Sequence, residues 1–194
     1  GNVYYIAQDG ESTFEPTADD RRYIGDPNPD FIYSLGNNFT YKEFGLDIFL
    51  QGSQGNDIFN ASRLQMESMI DSKNQLASVL NRWRQPGDIT DIPRVNTESS
   101  TNNSRLSNRY VEDGSYLRFK AITFSYSFKE NTLDKLHLEA LKFYLTGENL
   151  ITITDYSGFD PQVNAFGADN LVQGVDFGTY PQTRNVIFGM NVRF

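Results

Sequence analysis

Apolar and polar positions alternate with a period of two in five separate stretches, the signature of half-covered β-strands. In the first, Phe31, Tyr33, Leu35, Phe39 and Tyr41 share one face, broken only by Asn37, and Ser34, Gly36, Asn38 and Thr40 share the other with Ile32. After a turn at Lys42-Glu43, Phe44, Leu46, Ile48 and Leu50 alternate with Gly45, Asp47, Phe49 and Gln51. The third stretch, Tyr116 to Phe128, sets Ile122, Phe124, Tyr126 and Phe128 against Thr123, Ser125 and Ser127. Its first half puts Arg118 and Lys120 in phase with those apolar residues, so either the strand outruns the apolar zone or a bulge shifts its phase. A short connection over Lys129 to Leu136 has a helix-start signal at Asn131 or Thr132. Leu141, Phe143 and Leu145 then oppose Lys142, Tyr144, Thr146 and Glu148. Finally Val186, Phe188, Met190, Val192 and Phe194 oppose Asn185, Ile187, Gly189, Asn191 and Arg193.

The connections alternate strictly between short and long. This parity predicts an all-β fold: an antiparallel segment of a transmembrane β-barrel, with short periplasmic turns and long external loops. A soluble antiparallel sheet with uneven loops fits the alternation but does not predict the parity. With the carboxyl terminus on the periplasmic side, residues 1–30, 52–115 and 155–181 become extracellular loops, and 182–194 the terminal strand. The long loop has helical spacing of its own, at Met66, Met69 and Ile70 and again at Leu76, Val79, Leu80 and Trp83. Asn60 is the expected cap, Asp71-Ser72 a break and Pro86-Gly87 a stop, giving two short helices. Asn96 to Asn108 reads as a solvated loop tip.

Composition narrows the chemistry. The 194 residues have a net charge of −8, which argues against nucleic acid as a partner. No apolar run exceeds Val3–Ala7, so no transmembrane helix is expected; the mean hydropathy of −0.52 does not argue against barrel strands, which are half polar. Absent cysteine excludes disulfides and thiolate chemistry. His137 is the single histidine, so no Ser-His-Asp triad or multi-histidine metal site is expected. The carboxylates Asp19-Asp20 and Asp155/Asp160 read as solvated loop residues, and Asp19 to Asp30 lacks the spacing of a calcium loop. The expectation is no enzyme, no metal and no cofactor. The strand-like opening at Gly1, without Met, suggests a processed or truncated amino terminus.

Several motifs stand in order. They are Tyr23-Ile24-Gly25-Asp26-Pro27-Asn28-Pro29-Asp30-Phe31, Tyr41-Lys42-Glu43-Phe44, Gly55-Asn56-Asp57-Ile58-Phe59-Asn60, Asn81-Arg82-Trp83 and Asp91-Ile92-Pro93-Arg94. Asp113-Gly114-Ser115-Tyr116-Leu117-Arg118-Phe119-Lys120, Gly147-Glu148-Asn149-Leu150, Tyr156-Ser157-Gly158-Phe159-Asp160-Pro161, Gly174-Val175-Asp176 and Tyr180-Pro181-Gln182-Thr183-Arg184 follow. Together, from about Tyr23 to Phe194, the set resembles the carboxyl-terminal β-barrel part of the SusC/RagA family of TonB-dependent outer-membrane transporters. Such transporters form a barrel of about 22 strands, of which five strands are about a quarter. Their plug domain and TonB-contacting segment are missing from this chain.

The resemblance implies uptake of oligosaccharides or peptides beneath a SusD-like surface lipoprotein, driven through TonB and the missing amino-terminal part. It also implies contact with the remaining barrel and plug and with outer-membrane lipid. Trp83, Tyr110, Tyr116, Tyr156, Phe159, Phe177 and Tyr180 are candidates for touching cargo or partner. Gly189, Val192 and Phe194 match a barrel-assembly signal, with Ile187 where a polar residue is more usual. The expected lipid-facing set is Phe44, Leu46, Ile48, Leu50, Ile122, Phe124, Tyr126, Leu141, Phe143, Leu145, Val186, Phe188 and Met190. Asp47, Gln51, Tyr144, Thr146 and Asn191 would face a wet lumen or the plug. The alternative is a soluble all-β carbohydrate-binding or interaction module; a glycan-degrading enzyme is more remote.

Overall fold

A computed structural model describes residues 1–70, 72–96, 102–167 and 172–194. In chain order the elements are β1 (Tyr5–Ile6), β2 (Ser12–Thr13), β3 (Phe31–Tyr41), β4 (Phe44–Gln54), β5 (Asp57–Asn60), α1 (Ala61–Glu67), β6 (Val111–Asp113), β7 (Tyr116–Ser127), α2 (Glu130–Leu136), β8 (Ala140–Thr154), β9 (Val175–Asp176) and β10 (Asn185–Arg193). The chain divides into two units. One comprises Gly1–Pro27, Asp57–Glu112 and Val163–Thr179; the other comprises Asn28–Asn56, Asp113–Gln162 and Tyr180–Phe194.

The second unit is a five-stranded antiparallel sheet in the order β10-β8-β7-β4-β3. Its strands are the five alternating stretches. The register aligns their apolar positions into rows that cross the whole sheet. Phe39 pairs with Leu46, Leu46 with Phe124, Phe124 with Leu145 and Leu145 with Phe188. The next row runs Tyr41, Phe44, Tyr126, Phe143 and Met190. Toward the short turns these rings pack on one another, with Phe44 and Phe124 stacked at 5.7 Å and Phe128 edge-on to Phe143 at 5.6 Å. The opposite face is polar, and Asp47, Gln51, Tyr144, Thr146 and Asn191 all lie on it.

A bulge resolves the phase of β7. Phe49 pairs with Ala121 but Leu50 with Phe119, so Lys120 is an extra residue. Beyond it Leu117 and Phe119 join the apolar face, opposite Ile153 and Ile151, and Arg118 turns to the polar face opposite Gln51 and Thr152. The strand does not outrun the apolar zone; it changes phase within it.

The loop unit has small sheets and a core of its own. β1 pairs with β2, β5 pairs in parallel with β9, and β6 flanks β5. Ile58 and Tyr110 are almost wholly enclosed, with Met69, Ile92 and Val163 also buried. α1 starts where expected, because the Asn60 side chain accepts the Arg63 N–H at 2.8 Å. It stops at Glu67, since Met69 takes a left-handed φ of 51°. The second expected helix is a 3-10 turn, Ala77–Asn81. α2 begins at Glu130, slightly ahead of the Asn131 signal, and ends on a left-handed His137. The expected break at Asp71 and part of the loop tip, residues 97–101, lie outside the described residues.

Candidate functional site at the loop end of the sheet

The polar face of the sheet is ordered by its own side chains. Asn38 Nδ2 donates to Asp47, and Thr123 and Thr146 share a hydrogen bond of 2.8 Å across β7 and β8. Asp47 therefore sits among polar groups, where its charge is tolerated.

At the end of β7 nearer the long loops, the bulge aims Arg118 into a buried polar cluster. Its guanidinium reaches Asp160 Oδ1 at 2.7 Å, Gln162 Oε1 at 2.7 Å and Thr152 Oγ1 at 2.9 Å. It also lies 5.6 Å from the Tyr116 ring centroid. Gln162 Nε2 donates to the Tyr116 hydroxyl at 2.5 Å. Asp160 also accepts the backbone N–H groups of Gln162 and Gln182, each at 2.8 Å. One carboxylate thus ties β7 to two separate loop segments. Burial alone would raise the Asp160 pKa, but the Arg118 hydrogen bond and the two backbone donors outweigh it and hold the group below the ordinary carboxylate range. The reading of Asp160 as a solvated loop carboxylate is corrected: it is buried and ion-paired. Arg118's anomalous phase was the sequence signal for this cluster, but the partner was not predictable from a residue 42 positions away.

The loop unit has a second charged cluster. Arg63 bridges Glu67 at 3.0 Å and Glu112 at 3.3 Å, and Arg109 lies 3.5 Å from Glu67. Ser78 donates to Glu67 at 2.7 Å. Arg63 and Glu67 stand one helical turn apart, but Ser78, Arg109 and Glu112, which complete the network, come from distant stretches that patterning does not connect. Asp20 is held too, accepting the N–H groups of Thr17 at 2.7 Å and Gln8 at 3.0 Å.

The seven aromatic candidates divide by burial. Tyr110, Tyr116 and Tyr156 are buried, and the Tyr156 ring lies over Gly158, where an added Cβ would come within 2.3 Å of it. These rings pack inside their units. Trp83 is half-buried, and its backbone N–H donates to Ile92 O at 2.9 Å. Phe159, Phe177 and Tyr180 are exposed.

In β10, Gly189 faces Tyr144 across the strand pair, and an added Cβ would lie 2.1 Å from the Tyr144 ring. Val192 falls on the apolar face opposite Leu141, Ile187 on the polar face opposite Thr146, and Phe194 follows the strand, exposed. Gly189→Val should therefore displace the Tyr144 ring and cost about 1–3 kcal/mol. Adding Tyr144→Ala should recover much of that loss, which a double-mutant cycle on the unfolding midpoint would measure.

No family model matches the chain. The whole chain aligns with the TonB-dependent receptor P3 of Formosa agariphila, at 36% identity over 198 residues that make up 19% of that receptor. The TonB-dependent receptor SusC of Bacteroides thetaiotaomicron matches 98% of the chain at 21% identity, over 17% of its own length. The solved structure of the RagAB peptide transporter superposes on all of the chain with a TM-score of 0.83 and 22% identity, covering 21% of the matched chain. The chain thus spans about one fifth of the proteins it matches, and those proteins are receptors and a transporter, not enzymes. Two-faced strands, buried loop pins and relatives agree: along its whole length the chain resembles the β-barrel part of a SusC/RagA-type TonB-dependent receptor, and its place is the outer membrane.

Proposed function

We propose that this chain is a wall segment of a TonB-dependent importer, contributing five adjacent strands of a barrel of about 22. Residues 1–30, 52–115 and 155–181 are its extracellular loops and 182–194 its terminal strand. The observation that carries this reading is the apolar face of the sheet. Phe39, Phe124, Leu145 and Phe188, which form one row with the half-buried Leu46, are 55%, 48%, 48% and 70% exposed. A water-soluble protein rarely leaves such a surface open, whereas lipid covers it without cost.

The dimensions agree. The 11 residues of β3 extend about 34 Å and, tilted by about 40°, rise roughly 26 Å, matching an apolar band about 25 Å tall. β3 and β10 each lie at an edge of the sheet, with backbone groups available to neighbouring wall strands. A plug and a TonB-contacting segment would couple transport to the inner membrane, and a SusD-like lipoprotein would close over the loops. The cargo class is oligosaccharide or peptide; one matched structure is of a peptide transporter.

Photo-crosslinking in the full-length protein, in native outer membranes, tests the wall assignment. A photoreactive residue at Phe124 should label lipid, and one at the neighbouring Thr123 should not. Equal labelling at the two positions, or extraction of the folded protein without detergent, would sink it in favour of a soluble module.

A further inference from the structure

The polar face of the sheet holds a charge without a countercharge. Asp47, in β4, accepts from Asn38 and enters no ion pair among the described residues. The register row through Asp47 and the rows on either side of it, followed from β3 across to β10, contain one other charged side chain on this face. It is Glu148, a second carboxylate. Arg118, nearer the long loops, is already bound to Asp160.

Beside that charge the face holds a ring among small neighbours. Phe49, the next residue on the same face of β4, is 42% exposed. Gly36 opposes it from β3 and Ala121 from β7. With no large side chain on either flank, a groove of about 290 Å³ opens along the ring and the carboxylate, bordered by Asn38 and Thr123. An added Cβ on Gly36 would lie 3.9 Å from the Phe49 ring, already in contact with it, so a longer side chain there would fill the groove.

A carboxylate next to an accessible ring fits a guanidinium. Its planar fork pairs with a carboxylate and its flat face stacks on an aromatic ring, whereas an ammonium is a compact point charge. A neutral side chain laid over this face would leave Asp47 covered and unpaired, at a high desolvation cost. The chain spans about one fifth of the length of its relatives. On that scale most of the receptor lies outside these residues, and any part of it that packs on the inner wall has to meet this carboxylate.

We infer that Asp47 and Phe49 form a site for one arginine side chain, supplied by a part of the same receptor outside these 194 residues and packed on the polar face of the wall. This rests on the wall reading above, which turns the polar face inward, and adds a specific internal contact to it.

The test uses the full-length receptor in native outer membranes, with a photoreactive phenylalanine analogue in place of Phe49. The expected product is an intramolecular crosslink to an arginine-bearing peptide from outside residues 1–194, mapped by mass spectrometry. Asp47→Asn, nearly the same shape without the charge, should remove most of that crosslink, and so should glutamine in place of the mapped arginine. Asp47→Glu should keep it. Gly36→Leu, which fills the groove and leaves the charge, should remove it as well. Yields are compared on the folded, heat-modifiable band alone, so loss of folding does not imitate loss of contact. No crosslink within the receptor, or one to a peptide without arginine, to the lipoprotein or to cargo, overturns the site. A crosslink that survives both Asp47→Asn and the glutamine variant overturns it equally, because the contact then does not use the charge. The analogue at Phe124 separates the two readings. If it labels lipid while Phe49 fails, the wall assignment stands without the arginine site; if Phe49 labels lipid and Phe124 does not, both fall.

Discussion

Asp160→Ala in the full-length receptor should destabilise the loop end of the sheet by about 3–5 kcal/mol, the loss typical when one member of a buried ion pair is removed. The size follows from what remains behind. Arg118 would keep its charge in a buried site, bonded to neutral Thr152 and Gln162. The N–H groups of Gln162 and Gln182 would lose their acceptor. Limited proteolysis should then cut first within 155–184, while the paired strands β3 and β4 stay protected. The pH dependence has a definite sign. A carboxyl group whose folded pKa is lowered stabilises fully above its unfolded value, about 3.9, and loses that contribution as pH falls through the lower folded value. The wild-type thermal midpoint should therefore fall below about pH 4 through this group, and Asp160→Asn should remove that component. An Asn variant with the wild-type midpoint and the same acid response would show that the ion pair holds nothing in place.

Phe124→Arg should cost about 2–4 kcal/mol, the range for an arginine at mid-depth on a lipid-facing strand. Phe124 lies in the central strand of the sheet, between Leu46 and Leu145. Its neighbour Thr123 points the other way, bonded to Thr146, and Thr123→Arg should cost far less. The measurement is the urea midpoint of the full-length protein folded into lipid vesicles, with the amount of heat-modifiable protein in outer membranes as the cellular readout. Similar losses for the two substitutions would place lipid on neither face alone.

Both predictions depend on a phase that sequence reading recovered only in part. In β3, β4 and β10, and in β8 as far as Glu148, before the left-handed Asn149, side chains alternate without interruption, so period two assigned those stretches to a face. β7 resisted, because its two halves alternate in opposite phase and a single strand offers no internal reference. The register against β4 supplied it, through the extra residue Lys120. The helical stripe in the long loop failed differently. Met66, Met69 and Ile70 have helical spacing, but the backbone leaves the helix after Glu67 and only Met69 is buried.

The aromatic candidates mark the same boundary. Tyr110, Tyr116, Tyr156, Phe159 and Tyr180 are all rings in or beside predicted loops, and nothing local separates those buried from those exposed. Their fates depend on partners far along the chain, as Tyr116 meets Gln162 46 residues away. The sequence by itself determined the five strands, their two faces outside the first half of β7, and the long-short parity of their connections, because alternation and turn chemistry act between near neighbours. Only the tertiary structure decided the β7 bulge, the Arg118–Asp160 pin and which rings stand in water, because each is a contact between residues the chain keeps far apart.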